Sequence, residues 1–256
     1  MRIDLNSDLG EGFGAWRMGD DAAMMKVITS ANVACGHHAG DPVIMDHAVR
    51  AARSAGVDLG AHVSFPDRAG FGRREMRLEP RELELHVIFQ LGALDGIARM
   101  AGHRITHVSP HGALGNMALA DRATAEILVR AVRAFDPRLA MLVLSNSELA
   151  RAADAAGLPS HALFLADRAY DSSGQLVPRR LPGALVTSEP EILARVERVL
   201  AEGCVVSAQG DIVQVAAESI LVHGDTPGAV AIARAIRRRI EDAGGEVVPL
   251  SALRAS

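Results

Sequence analysis

Short β-branched runs alternate with longer, alanine-rich amphipathic segments from one end of this chain to the other. That alternation leaves few architectures open. Each helix has to carry the chain back so that the next strand runs alongside the last, which gives a parallel sheet with helices outside it. The pattern predicts strands at Ile3–Asn6, Ala31–Cys35, Val57–Ala61, Ile105–Val108, Ala140–Leu144, Ala162–Leu165, Val205–Ser207 and Ser219–Val222. Helices are predicted over 21–30, 42–55, 80–101, 121–135, 147–157, 189–202 and 228–243. Asp41-Pro42 places an N-cap acid before a proline at the first helical position, and Glu79-Pro80 and Glu189-Pro190 repeat the device. Gly56, Gly157 and Gly203 follow helices as C-terminal caps do. Seven or eight strand–helix units in 256 residues favour a closed or nearly closed parallel (β/α) barrel, a fold of about 250 residues, over an open α/β sheet. No low-complexity linker divides residues 1–256, which read as a single barrel domain.

Composition narrows the function classes. A 49% hydrophobic, 23% charged chain is that of an ordinary soluble protein. Its formal charge of −4 offers no field for a polyanion, so no nucleic-acid partner is expected. Cys35 and Cys204 form neither a disulfide framework nor a CxxC pair. Asp4 and Asp8 stand where a signal peptide needs an apolar run, and no stretch approaches the about 18 apolar residues of a membrane span. A cytoplasmic protein without a membrane partner is the expectation. Lys26, in the predicted helix 21–30, is the sole lysine.

The functional signal lies in the residues immediately after each strand. The first strand runs into Asn6-Ser7-Asp8-Leu9-Gly10-Glu11, the second into His37-His38 and Asp41, and the third into His62 and then Asp67-Arg68. Later strands give Ser109-Pro110-His111-Gly112, Ser145-Asn146-Ser147, Asp167-Arg168 and His223-Gly224-Asp225. Barrel enzymes gather their catalytic groups at the C-terminal strand ends, whose loops converge on one mouth. A ring of such groups points to an active site with a small-molecule substrate. The candidate catalytic residues are Asp8, Glu11, His38, His62 and His111, and the candidate substrate-binding residues are Asn6, Arg68, Asp167, Arg168, His223 and Asp225.

Structural readings stand beside the functional ones. Asp8 or Glu11 would stabilise a turn or cap the helix near Asp20, and His62 or His111 would be a satisfied buried histidine. Asp41 reads as an N-cap, while Asp67-Arg68 and Asp167-Arg168 are readable as ion pairs. His47, His86, His103, His107 and His161 fall in helices or before strands and read as structural. No GxxxxGK[ST] loop, GxSxG elbow or HExxH pair is present, and Glu11 within Gly10-Glu11-Gly12-Phe13-Gly14 would repel a pyrophosphate. Asp8, His62 and His111 together suit an open one-carboxylate, two-histidine site for a divalent metal.

Several segments resemble the LamB/YcsF family. They are Ile3 to Glu11, Ala31 to Gly36 with His38-Ala39-Gly40-Asp41, Gly60-Ala61-His62 with Ser64-Phe65-Pro66-Asp67-Arg68, and Pro110-His111-Gly112-Ala113-Leu114. Ala166-Asp167-Arg168 with Tyr170, Leu176-Val177-Pro178-Arg179 and His223-Gly224-Asp225 continue the match in order, from about residue 2 to residue 245. The resemblance implies a barrel of the glycoside hydrolase/deacetylase type. It also implies the A component of an ATP-dependent 5-oxoprolinase, which opens 5-oxoproline to glutamate together with B and C subunits, ATP being a co-substrate of the complex. On this reading Asp8 or Glu11 activates water, His111 or His62 shuttles protons, and Arg168 holds the substrate carboxylate or a phosphoryl group. A deacetylase-like relative would instead place a metal on Asp8, His62 and His111 and act alone on a lactam or other cyclic amide. A non-catalytic subunit that binds a small carboxylate is the third reading. The chain departs from the family's usual residues at Ser109 (lysine), Gly115 (tyrosine), Leu163 (glutamate), Val63 (proline) and His37 (an aromatic). A serine cannot replace an ammonium group facing phosphate, so the substrate is the least secure part of the resemblance.

Overall fold

In the computed structural model, which describes residues 1–253, the chain closes into a parallel barrel of seven strands. The last three residues of the 1–256 span lie outside the described part. Strands β1 (Arg2–Leu9), β2 (Ser30–Ala34), β3 (Asp58–Val63), β4 (Ile105–Pro110), β5 (Ala140–Val143) and β6 (Ser160–Leu165) pair in sequence order. The chain then leaves the barrel for a two-stranded antiparallel hairpin, β7 (Cys204–Val206) and β8 (Ile212–Gln214). It returns as β9 (Ser219–Leu221), which pairs with β6 and closes on β1 through Asp4↔Ser219 and Asn6↔Leu221. A short β10 (Glu246–Val247) extends β1 at its N-terminal end.

Helices α1 (Asp21–Met24), α2 (Pro42–Ala55), α3 (Pro80–Met100), α4 (Gly112–Ala120), α5 (Arg122–Phe135), α6 (Glu148–Ala156), α7 (Glu189–Glu202) and α8 (Ala229–Asp242) accompany the strands. Their start and stop signals act largely as the residues dictate. Asp41 caps α2 by accepting from the Val43 and Ile44 amides, with Pro42 in the first turn, and Gly56 ends it in the left-handed conformation. Glu79 makes no side-chain cap, and Ser188 rather than Glu189 is the cap residue of α7.

Three expectations are corrected. Val205–Ser207 is no barrel strand, because its run pairs antiparallel with β8. The helix expected over 21–30 stops at Met24, since Val27, Ile28 and Thr29 turn into β2, and Lys26 therefore lies beyond it. A helix at 112–120, spanning Gly112 and Gly115, had no counterpart in the expected elements. Among the described residues, no helix is long and apolar enough to cross a membrane.

The barrel interior is asymmetric. Its floor is a fully buried carboxylate, Asp4, that accepts from the hydroxyls of Thr29, Ser30 and Ser219 at 2.6–2.8 Å. Above it, β1 to β4 contribute Asn6, Asn32 and His107, and then Asp8, His62 and Ser109, all buried. On β5, β6 and β9 the corresponding wall is Leu142, Leu163, Leu165 and Leu221. One half of the barrel is polar and the other is leucine.

Two of these contacts can be tested through stability. Asp41→Ala removes the cap of α2 and the tie to the Gly14 amide, at a cost of about 1 kcal/mol; thermal denaturation should show a Tm lower by about 2–4 °C, largely restored in Asp41→Asn. Burial raises the Asp4 carboxyl from 3.8 to about 6. A folded-state value above the unfolded one means that the stabilisation is complete below the unfolded value and is lost as pH rises through about 6. Between pH 4 and 7, denaturant titrations of Asp4→Asn and the parent should therefore diverge in the variant's favour by up to about 3 kcal/mol. A constant difference would contradict an ionising Asp4.

Candidate active site

Three strands run further than the sequence suggests, and this places the chemistry on rigid backbone. β1 extends to Leu9, β3 to Val63 and β4 to Pro110, so that Asp8, His62 and Ser109 sit on strands rather than in loops. Their side chains face inward in one layer, with His62 opposite Ser109 in the β3–β4 register. Beyond β3, the loop from Ser64 to Glu79 folds over the polar half of the mouth. Within it Phe71 holds a left-handed backbone (φ 54°), a conformation that a bulky residue keeps only where its surroundings enforce it. Its carbonyl is thereby turned onto His111.

Five groups converge beneath this loop. His62 Nε2 lies 2.9 Å from His111 Nδ1, 3.5 Å from Asp8 Oδ2 and 3.8 Å from Glu11 Oε1. His38 Nε2 is 3.1 Å from Glu11 Oε1, and its ring stacks on His111 with centroids 3.8 Å apart. The outer nitrogens decide the proton positions. His62 Nδ1–H donates to the Ser109 carbonyl at 2.9 Å, and His111 Nε2–H donates to that of Phe71 at 2.8 Å. If both rings were neutral, two lone pairs would face each other at 2.9 Å, which is repulsive. A proton on His62 Nε2 or a bound cation resolves the conflict.

The electrostatics favour the proton in the metal-free chain. Burial opposes charging His62, but the Asp8 carboxylate outweighs it and raises the imidazole's affinity for a proton. Burial likewise opposes charge on Asp8, yet the cations His62 and His223 and the Asn32 amide overcome it and hold the carboxyl well below the usual range. Burial keeps His38 and His111 neutral and pushes Glu11 up to about 8. Across the mouth, His223 Nδ1–H donates to Asp167 at 2.7 Å. Asp167 is buried and His223 partly buried, and that pair is nonetheless charged, with His223 raised and Asp167 lowered by each other. The His223 Nε2 lies 4.0 Å from Asp8.

A cavity of about 480 Å³ opens onto this centre. Asp8, His62, His111, His223, Ser109 and Arg168 line it, joined by Arg73 and Arg179. Arg73 and Arg179 share Asp225, at 2.6 and 3.8 Å. The other candidates lie elsewhere. Glu11 and His38 stand behind the cavity wall. Asn6 is deeper in the barrel, accepting from Asn32. Arg68 is exposed, binds the Gly36 carbonyl and lies over the Phe13 ring. Arg168 is buried and donates to the carbonyls of Ala184 and Val177, which leaves it a mainly structural hold on its own loop. Neither expected neighbour pair forms, because Asp67 pairs with Arg74 and Asp167 with His223. Asp20 and Asp21, not Asp8 or Glu11, serve the start of α1 and the Gly10 amide. His37 meets His86 and Phe89 at the surface.

The sequence missed Asn32, His107, Arg73 and Arg179 as site residues. His107 is neutral, burial lowering it to about 3, and its Nε2–H donates to Asn32 Oδ1 at 2.8 Å. The Asn32 amide hydrogens must then point at Asn6 and Asp8, at 2.7 and 2.8 Å. Gly60 makes this possible, since a Cβ there would fall 2.1 Å from His107 Nε2. In a chain so rich in arginine, nothing local marks Arg73, and Arg179 is marked only as the end of the family-like segment Leu176-Val177-Pro178-Arg179.

Glu11, His38, His62 and His111 each offer a ligand atom, all within 4.8 Å of one another. Three nitrogens and a carboxylate suit a divalent ion such as zinc. The carbonyls of Ser109 and Phe71 hold the outer N–H groups, the kind of contact that fixes the ring orientation of a metal-binding histidine. The buried His38 Nδ1 has no hydrogen-bond partner. Asp8 stands beside this set, against His62.

Known proteins resemble this chain in sequence and fold. The chain is 57% identical over 251 residues to a 5-oxoprolinase A subunit of Ralstonia nicotianae, covering 98% of this chain and 96% of that one. It is 56% identical to a 5-oxoprolinase A subunit of Pseudomonas syringae pv. tomato, with 99% of each chain covered. The crystal structure of a lactam utilization protein from Thermus thermophilus superposes with a TM-score of 0.92 at 43% identity, over 98% of this chain and 100% of that one. A peptidoglycan N-acetylglucosamine deacetylase catalytic domain from Eubacterium rectale shares the fold alone, with a TM-score of 0.51 at 13% identity, over 100% of this chain and 91% of that one. The LamB/YcsF family model matches residues 3–255, and this chain belongs to the LamB/YcsF family.

Proposed function

We propose that this chain is the A subunit of an ATP-dependent 5-oxoprolinase of the cytoplasm, opening 5-oxoproline to glutamate together with B and C subunits. The observation that carries the reading is the contact of Asp8 with His62, at 3.5 Å, at the wall of a cavity edged with arginine; their mutual effect favours a charged pair. Relatives named as 5-oxoprolinase A subunits, matched over nearly the whole chain, support it.

A five-membered lactam resists hydrolysis because its amide nitrogen donates into the carbonyl. Transfer of the ATP γ-phosphoryl group to the carbonyl oxygen removes that protection and yields ADP. Asp8 then takes a proton from the water that adds to the ring carbon. His62 delivers its proton to the ring nitrogen as the C–N bond breaks. A second water releases phosphate from the acyl phosphate left behind, giving glutamate. Arg73, Arg179 and the charged His223 supply the positive edge for carboxylate and phosphoryl oxygens.

Reconstitution with the B and C partners and ATP tests this directly. Glutamate and ADP should form from 5-oxoproline only with all three chains present. Asp8→Asn should lower the rate by about 10²–10⁴-fold with an unchanged melting profile. Near-parental turnover would remove Asp8 from the mechanism.

A second reading rests on the facing nitrogens of His62 and His111. Glu11, His38, His62 and His111 would hold a divalent ion, which when bound supplies a Lewis acid and an acidified water. Under it, Asp8 remains the proton acceptor and His223 with Asp167 a charged partner of the substrate. After equilibration with zinc and dialysis, elemental analysis should find one ion per chain, lost in Glu11→Gln/His111→Gln. Substoichiometric metal in the parent chain would exclude this reading and leave the shared proton.

A further inference from the structure

The cavity is divided. Its polar side carries Asp8, His62, His223, Arg73 and Arg179. Its opposite side is a lobe of six leucines, Leu119, Leu142, Leu144, Leu149, Leu163 and Leu165, drawn from β5, β6, α4, α6 and the turn after β5. Small residues at Ser109, Ala113 and Gly115 leave this lobe open.

5-Oxoproline has no use for such a lobe. Even at the about 30 Å³ that a water molecule takes in the liquid, its nine non-hydrogen atoms fill no more than about 270 Å³, against a cavity of about 480 Å³. With the ring carbonyl at Asp8 and His62 and the carboxylate at Arg73 and Arg179, each of its charged or reacting atoms has a partner on the polar side. The leucine wall would then face water. Leu142, Leu144, Leu149, Leu163 and Leu165 are otherwise buried, and cavity space lined by such side chains favours an apolar group that fills it.

We infer that the site is built for a lactam carboxylate with an added apolar portion, either a larger ring or an alkyl substituent, that seats in the leucine lobe. The inference rests on the ring-opening reading and specifies its substrate class. Leu163 and Leu165 are the specificity-determining residues of the lobe floor on β6, and Arg73 and Arg179 hold the carboxylate that all such lactams share.

Calorimetric titration of the chain assembled with its B and C partners compares 5-oxoproline with 7-oxoazepane-2-carboxylate, whose ring carries two more methylene groups. A methylene in an apolar pocket is worth about tenfold or more in discrimination, so the larger lactam should bind at least about tenfold more tightly. Leu163→Gln should bring the ratio of the two dissociation constants back towards one. A 5-oxoproline affinity equal to or above that of the larger ring would overturn the inference and leave the ring-opening reading standing. Binding of neither lactam would overturn both. Adenosine triphosphate binding that Leu163→Gln weakens would assign the lobe to a purine base and overturn the inference as well.

Discussion

The orientation of the Asn32 side chain connects the barrel core to the mouth. His107 reaches across the interior to donate to its carbonyl oxygen, which turns both amide hydrogens towards Asn6 and Asp8. Asp8 thus receives a fixed donor on one oxygen while the other faces His62 and His223. A buried carboxylate without such partners would be neutral at physiological pH. Here the amide and two cations keep it charged, and the charge in turn keeps His62 protonated. Glu11, buried beside them without comparable support, takes the opposite state. Two carboxylates in one site are pushed apart in proton affinity by their surroundings, the arrangement that divides acid from base in many hydrolytic centres.

The closed barrel makes this possible by presenting different chemistry from its two halves. β1 to β4 bring polar side chains inward in successive layers, whereas β5, β6 and β9 bring leucine. The polar half needs mutual satisfaction to stay folded, since unpaired polar groups in a barrel core are costly. That need explains the chain of hydrogen bonds from His107 through Asn32 to Asn6 and Asp8, in which Asn6 Nδ2 alone is left without a partner among the described residues. The leucine half makes no side-chain hydrogen bonds, and the cavity lies between the two halves.

Much of the barrel is legible in the sequence because a parallel sheet buried on both faces reads as short β-branched runs between amphipathic helices. The exceptions have physical causes. Cys204–Val206 has the same local composition as a barrel strand, and only its partner Ile212–Gln214 distinguishes it. α4 carries Gly112 and Gly115, which weaken helix propensity, and tertiary packing on α5 and α6 outweighs them. Asp8, His62, His111 and His223 were visible as polar residues ending apolar strands. His107 reads as structural and Asn32 stands only within the family-like segment from Ala31 to Gly36, and their part in orienting Asp8 depends on contacts among β1, β2 and β4 that no local pattern encodes. Arg73 and Arg179 reach the mouth from separate loops and meet only at Asp225.

On the proposed function, the polar half of the mouth holds the reacting amide while the arginine edge holds its carboxylate. A crystal structure of the chain with a lactam carboxylate bound tests it most directly. The ring carbonyl should lie within hydrogen-bonding reach of His62, with Asp8 alongside, and the carboxylate on Arg73 and Arg179. A ligand whose carboxylate lies on Arg68, or whose ring sits away from Asp8 and His62, would contradict it.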